Sequence, residues 1–120
     1  MKISSKIQEI NEILVDYEGD EARIWLFDIS HTKLGLKIYS NKKEEVIYLV
    51  ISGCKHIKGS FSVNNPKFIV TESFDSEITE TVFKILDKSS DFELVANSGI
   101  ALAKGLDEEF GNSFEDFLKE

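Results

Sequence analysis

The chain has 120 residues, 42% of them apolar, and a formal net charge of −8. These values indicate one globular domain over residues 1–120 with a core of its own. The acidic balance argues against a nucleic-acid partner, since phosphate binding depends on clustered Lys and Arg. No apolar window approaches the about 18 residues of a membrane span. The first ten residues lack the apolar stretch of a signal peptide. We therefore expect a cytoplasmic protein that does not contact a membrane.

Charge is unevenly distributed along the chain. Residues 31–67 carry seven lysines against two acidic residues, whereas the segments before and after them are acidic. The simplest interpretation is that these charges solvate the outer faces of the fold, with the acidic ends over the basic middle. The single cysteine, Cys54, excludes an intrachain disulfide and fits a reducing compartment.

The first predicted element is an amphipathic helix over residues 4–17. Its apolar residues recur at intervals of three and four, which places them on one helical face: Ile3, Ile7, Ile10, Leu14 and Tyr17. Ser5 and Gln8 have the spacing of a capping box, and the polar run at residues 18–21 predicts the end of the helix.

After this helix the apolar period changes to two. Strands are predicted over residues 22–29, 34–39, 46–51, 55–63 and 67–73, with short polar turns between most of them and a break at Gly53. In the first and third of these strands, apolar residues occupy both parities; Trp25 and Phe27, for example, alternate with Ile24 and Leu26. Such strands have to be covered on both faces, so the pattern predicts a closed or sandwiched sheet.

The segment 55–63 has the most regular alternation. Its residues expected to face the core are Ile57, Phe61 and Val63, and those expected to face outward are His56, Lys58, Ser60 and Ser62. This outward row is the best candidate for an anion-facing surface, in particular His56, Lys58 and Ser60. The alternative is an ordinary solvated sheet face, because no aromatic residue is interleaved with the row.

Residues 76–87 fit two kinds of element. Ile78, Val82 and Ile85 have helical spacing, but the β-branched residues of the segment favour a strand. A turn at residues 88–91 suggests a hairpin, so we predict a strand, followed by further strands over 92–96 and 100–104. The chain closes with a predicted short helix that begins at Asn112 or Ser113.

Catalytic groups are sparse in this sequence. Cys54 and His56 would share a strand face, but residues two apart on a strand rarely come within hydrogen-bond reach, so a packing cysteine and a solvent-facing histidine are expected. Two histidines without metal-ligand spacing predict no metal site. The stretch from Gly99 to Gly105 does not fit the P-loop pattern. We therefore expect no cofactor and no catalytic residue, which favours a protein that is not an enzyme.

Two further groups of residues are candidates for binding. Residues that could line a ligand site inside a curled sheet are Trp25, Asp28, Tyr39 and Tyr48. For Asp28 the alternative is a strand-end carboxylate that accepts hydrogen bonds from the turn at residues 30–32. Residues that could contact a partner are Phe110, Phe114, Phe117 and Leu118, whose alternative is docking onto the protein's own sheet.

The predicted fold is α+β: an N-terminal helix, a largely antiparallel curled sheet of six to eight strands forming a half-open barrel or two-layer roll, and a short C-terminal helix. The leading hypothesis for function is a small acidic, non-catalytic binding protein that acts through a protein partner of basic character, in an inhibitor, immunity-type or adaptor role. One alternative is a small-molecule-binding protein or minor enzyme with its site inside the curled sheet. Another is self-association into a homo-oligomer.

Overall fold

In the residues that the computed structural model describes, 2–17 and 19–110, eight strands form one antiparallel sheet. The strands are β1 (Lys2–Ser4), β2 (Glu21–Asp28), β3 (Lys33–Tyr39), β4 (Glu45–Lys58), β5 (Ser62–Asn64), β6 (Phe68–Asp75), β7 (Glu80–Asp87) and β8 (Glu93–Leu106). Helix α1 (Ile7–Asp16) lies between β1 and β2, and a 3-10 turn over Asp107–Glu109 follows β8.

The sheet is curled into a half-open barrel with the strand order β5-β2-β3-β4-β8-β7-β6. Strand β8 is long enough to hold two neighbours along one edge, since β1 pairs with residues 102–104 and β7 with residues 93–96. The antiparallel sheet, its strand number and the N-terminal helix confirm the coarse prediction of an α+β fold. The ten-residue helix α1 is too short to cross a bilayer, and within the described residues no other helix has the length and hydropathy for it.

Strand β4 is covered on both faces along residues 46–51, as its mixed apolar pattern predicts. Ile47, Leu49 and Ile51 belong to a large core on the face against which α1 packs, which we call the helix face. Val46, Tyr48 and Val50 belong to a smaller core on the opposite face, together with Ala103 and Phe110. The sequence also predicted that residues 22–29 are covered on both faces. This is wrong at the end of that segment, where Phe27 and Ile29 are exposed.

Helix α1 begins at Ile7 rather than at Ser4, because Ser4 is the last residue of β1. The residue before the helix is Lys6, which makes no side-chain capping bond, so the predicted capping box of Ser5 and Gln8 is wrong. The predicted helical face is otherwise present. Ile10 is fully buried in the large core, and Tyr17 closes the helix by donating its backbone N–H to Ile13 at 3.0 Å.

Two predicted strand breaks are absent, because β4 and β8 each run for 14 residues. Gly53 adopts a φ of +71° inside β4 and lies at a register shift against β8 instead of ending the strand. A bulge of this kind adds an unpaired residue and bends the strand without terminating it. It also interrupts the alternation of faces, so the expected inward positions of Ile57 and Phe61 are wrong: both side chains are exposed. Val63 does pack against the large core.

The ambiguous segment 76–87 forms strand β7 from Glu80 onward, so the strand interpretation is confirmed. It pairs along its full length with β6, and the residues between the two strands make the turn of a hairpin. The predicted C-terminal helix begins beyond residue 110 and so lies outside the described residues, as do Phe114, Phe117 and Leu118.

Candidate partner-binding surfaces

Three of the four predicted ligand residues lie together, but on the face opposite to the helix face rather than inside the curl. Strand register explains this placement, because directly paired residues of neighbouring strands share a face. Lys37 of β3 pairs with Arg23 on one side and with Tyr48 on the other. The Trp25 and Tyr48 rings meet edge to face with centroids 4.5 Å apart, and Tyr39 packs against the same small core.

Charged groups surround this aromatic cluster and are already paired. The Tyr48 hydroxyl donates to Asp107 Oδ1 at 2.7 Å, and Lys37 Nζ lies 3.0 Å from the same oxygen. The Glu21 carboxylate accepts hydrogen bonds from Arg23 and from the Tyr39 hydroxyl. A shallow cleft of about 300 Å³ opens between these groups.

The pKa shifts show that the phenols of this cluster stay protonated. Burial, and next the hydrogen bond to Asp107, raise the pKa of Tyr48. The hydrogen bond to Glu21, and next burial, raise the pKa of Tyr39. Burial alone would raise the pKa of Asp107, but its bonds to Tyr48 and Lys37 outweigh that effect and lower it. A carboxylate held ionised beside neutral phenols stabilises the sheet and provides no general acid poised near neutral pH.

Asp28, the fourth predicted ligand residue, lies apart from the cluster, as the last residue of β2. Its Oδ1 accepts the backbone N–H of Ser30 at 2.9 Å, and its Oδ2 lies 3.3 Å from His31 Nδ1. The bond to His31 is the main reason that the pKa of Asp28 is lowered. This is the alternative considered from the sequence, in which Asp28 fixes the turn.

The predicted anion-facing residues His56, Lys58 and Ser60 are all exposed on the distal half of β4 and just beyond it. Lys58 pairs in register with Glu93 of β8. The thiol of Cys54 donates to the backbone oxygen of Ile51 at 3.5 Å instead of facing His56. Burial raises the pKa of Cys54 to about 11, so the thiol is protonated at neutral pH and is not an activated nucleophile.

Phe110, the one predicted partner-contact residue within the described part, is fully buried. Its ring centroid lies 4.2 Å from that of Tyr48, in the small core. Phe110 therefore acts as a core residue of this chain, and a partner would have to be recognised elsewhere.

A projecting hairpin that is rich in acidic residues was not expected from the sequence. We define the acidic hairpin as residues 71–80, in which every residue from 71 to 79 is exposed. Strand β8 pairs with β7 along residues 83–86, so β7 from Glu80 to Val82 extends beyond the β8 pairing. The sequence does contain a signal for this hairpin, because four acidic residues lie within the nine positions 72–80. The apolar residues between them, however, are also typical of residues that pack in a core.

Two large apolar side chains stand among the carboxylates of the acidic hairpin. Phe74 is 65% exposed and Ile78 is 50% exposed. The carboxylates around them belong to Glu72, Asp75, Glu77 and Glu80. Asp75 Oδ1 accepts the backbone N–H of Glu77 at 3.0 Å, and Thr79 has a φ of +52°, so the turn at the tip has a defined backbone shape.

The base of the acidic hairpin is anchored to the rest of the sheet through Glu80. Its Oε2 accepts a hydrogen bond of 3.1 Å from Asn97 Nδ2 and lies 3.7 Å from Lys55 Nζ. Glu80 is thus used within the fold. The carboxylates of Glu72, Asp75 and Glu77 remain on the solvent side and give the tip its negative field.

In the described segments, no group of three or more His, Cys, Asp or Glu side chains could hold a metal ion. No protein-family model, curated protein or solved structure matches the chain.

Proposed function

We propose that this chain is a single-domain, non-catalytic binding protein of the cytoplasm that recognises a basic protein partner through the acidic hairpin. The observation that carries the proposal is the exposure of Phe74 and Ile78 among carboxylates at a projecting tip. Such a surface suits an inhibitor, immunity-type or adaptor role, in which binding itself is the activity.

The two kinds of side chain at the tip have complementary roles in such a complex. A large aromatic side chain that leaves water on binding supplies much of the affinity of a protein interface. Carboxylates around it accelerate the encounter with a basic surface and disfavour acidic partners. The net charge of −8 extends the same field over the whole molecule.

The interior of the sheet supports binding at the surface over a site inside the curl. Large side chains fill the helix face, with Ile10, Ile47, Leu49 and Leu102 fully buried. On the opposite face the raised pKa values of Tyr39 and Tyr48 keep both phenols neutral, and the raised pKa of Cys54 keeps the thiol protonated at neutral pH.

Site-specific photocrosslinking tests this proposal. In one variant Phe74→p-benzoylphenylalanine places the crosslinker at the tip, and in a matched control Phe61→p-benzoylphenylalanine places it at another exposed phenylalanine, 82% exposed, beside β2. Each is irradiated in lysate at low salt and at about 0.5 M salt, where the Debye length falls to about 4 Å. We expect adducts with basic proteins at position 74 only, and their loss at high salt.

A second arm separates charge from apolar contact. The triple change Glu72→Gln, Asp75→Asn and Glu77→Gln in the position-74 variant should reduce the yield of those adducts at low salt about as much as added salt does. Equal adducts at positions 74 and 61, or adducts insensitive to both salt and the triple change, would contradict the proposal. Adducts between two copies of the chain would replace it with self-association.

A further inference from the structure

A second candidate site lies away from the acidic hairpin, where several connections approach the end of α1. A cleft of about 580 Å³ opens there, a volume typical of small-molecule sites. The residues that line it include three apolar side chains and three lysines: Leu14, Tyr17, Phe68, Lys42, Lys67 and Lys88. We call it the lysine cleft. It is lined by residues from the end of α1 and from the β3–β4, β5–β6 and β7–β8 connections, which approach one another in the curled sheet.

The three lysines of this cleft have no acidic partner among the described residues. None of the ion pairs there involves Lys42, Lys67 or Lys88. The backbones of Lys67 and Lys88 lie next to each other, because the N–H of Lys88 donates to the carbonyl oxygen of Lys67 at 3.0 Å. Most lysines of the described residues lack an ion pair, so what distinguishes these three is that they line one cleft.

Two carboxylates at or near the cleft accept hydrogen bonds within the fold. Asp20 Oδ2 accepts the backbone N–H of Asn41 at 2.7 Å and lies 3.4 Å from Ser40 Oγ, so it holds the β3–β4 connection. Asp87, behind the wall, accepts hydrogen bonds from the backbone of Lys67 and from Ser89 and Ser90. Both carboxylates keep their charge, and among the lining residues three lysines stand against one aspartate, which leaves an excess of positive charge.

The wall of the cleft is apolar and well supported. Tyr17 and Phe68 belong to the large core, and Leu14 packs against it. The Tyr17 hydroxyl donates to the carbonyl oxygen of Glu45 at 2.8 Å, which fixes the ring in place. Val15 lies at the rim with most of its side chain in water. An apolar wall beneath a cationic rim suits a ligand with both an apolar body and an anionic head group.

From this juxtaposition we propose that the lysine cleft binds a small amphiphilic anion, with its apolar body against Leu14, Tyr17 and Phe68 and its carboxylate or phosphate head group among the lysines. The site is separate from the acidic hairpin, because β6 runs from Phe68 at the cleft to Asp75 at the hairpin. At about 3.3 Å per residue these ends are about 23 Å apart. The proposal therefore does not depend on the proposed partner.

Fluorescence titration with two matched dyes tests this site. The anionic probe is 8-anilinonaphthalene-1-sulfonate, and the control probe is N-phenyl-1-naphthylamine, which lacks the sulfonate. The double variant Lys67→Glu/Lys88→Glu is compared with Lys6→Glu/Lys84→Glu, which changes the net charge equally at exposed lysines outside the cleft. We expect the cleft variant to weaken binding of the sulfonate dye by about tenfold or more, since each exposed charge contact contributes up to about fivefold.

The control variant should change the affinity for the sulfonate dye by less than about threefold, and neither variant should alter binding of the uncharged dye. Amide NMR shifts on titration should cluster at Leu14, Asn65 and Lys88. Decanoate and decyl phosphate then serve as competitors that separate the two head groups, with decanol as the uncharged reference. Equal weakening by both variants, shifts that cluster elsewhere, or displacement by decanol as effective as by decanoate and decyl phosphate would each overturn the proposal.

Discussion

The side chain of Asn11 in α1 forms two hydrogen bonds with the backbone of Val70 in β6, 59 residues away. Asn11 Oδ1 accepts the Val70 N–H, and Asn11 Nδ2 donates to the Val70 carbonyl oxygen, both at 2.8 Å. Strand β6 is at the end of the strand order, so this edge of it lacks a neighbouring strand. The carboxamide of Asn11 supplies the donor and acceptor that such a strand would provide, and it fixes α1 against the edge of the half-open barrel.

Replacing Asn11 with alanine should lower the free energy of unfolding by about 2 kcal/mol, because the N–H and carbonyl of the buried Val70 would both lose their partner. Urea denaturation measures the change, and the amide of Val70 should also exchange with solvent faster. The control is Glu12→Ala on the exposed side of the same helix, for which less than about 0.5 kcal/mol is expected. Similar losses for both variants would show that the bridge contributes little.

The fold could be predicted from the sequence wherever the apolar residues of a segment keep one regular period. The spacing of Ile7, Ile10 and Leu14 predicted α1, and apolar residues on both parities of 46–51 predicted a strand covered on both faces. The local sequence does not distinguish a glycine at a β-bulge from a glycine at a turn that ends a strand. Whether β4 continues past Gly53 depends on its register with β8, about 45 residues further along the chain, and so the positions of Ile57 and Phe61 were wrong.

The candidate sites could likewise be predicted only where the period within a strand determines which residues share a face. Trp25, Tyr39 and Tyr48 come together because period two and strand neighbourhood place them on one face, and Lys37 could have been added, since it is two residues from Tyr39. The acidic hairpin could not be recognised, because exposure of Phe74 depends on where β8 stops pairing with β7. The lysine cleft is lined by residues from connections far apart in the sequence, which only the curl of the folded sheet brings together.

Asp87 makes the stability of the fold sensitive to acid. This carboxylate is 4% exposed and accepts hydrogen bonds from the backbone N–H of Lys67 at 2.8 Å and the hydroxyl of Ser90 at 2.6 Å. Burial alone would raise the pKa of Asp87, but these bonds and those of Ser89 outweigh it and lower the pKa below its usual 3.8. The ionised carboxylate thus stabilises the fold above the unfolded pKa, and this stability is lost as pH falls through the folded pKa.

We expect Asp87→Asn to lower the free energy of unfolding by about 1–2 kcal/mol at pH 7, since charged hydrogen bonds are replaced by neutral ones. The difference from the parent chain should shrink below about pH 4 as Asp87 becomes protonated. Denaturation at several pH values measures both, with Asp91→Asn in the same connection as an exposed control. A difference that stays constant down to pH 2 would mean that the charge of Asp87 is not the stabilising feature.

Cys54 should react slowly with alkylating reagents in the folded protein. With a pKa of about 11, about 0.1% of the thiol is ionised at pH 8, against about a tenth at the usual value of 9.0. We expect iodoacetamide to label the native chain about 100-fold more slowly than the same chain in urea, and the native rate to rise about tenfold per pH unit up to pH 10. Because Cys54 is the single cysteine, all labelling reports on it. Comparable native and denatured rates at pH 8 would refute its burial as a packing residue.

Gly53, the one glycine of β4, should tolerate substitution poorly. Its φ of +71° is a conformation that costs an L-residue about 1–2 kcal/mol. A Cβ there would also lie 2.2 Å from Asn97 Oδ1 and 2.3 Å from Ser98 Oγ. These two side chains are joined by a hydrogen bond of 3.0 Å, so neither can move away without breaking it. We therefore expect Gly53→Ala to lower the free energy of unfolding by about 2–3 kcal/mol.

A double-mutant cycle separates the two causes. In a background carrying Asn97→Ala and Ser98→Gly, the steric contact is absent and Gly53→Ala should cost only the conformational part, about 1–2 kcal/mol. Ser52→Ala, the preceding residue of β4, is the control and should change stability by less than about 0.5 kcal/mol. Urea denaturation of these chains measures each value. An equal cost of Gly53→Ala in both backgrounds would assign the whole effect to the backbone, and no cost in either would mean that β4 does not need a bulge glycine at this position.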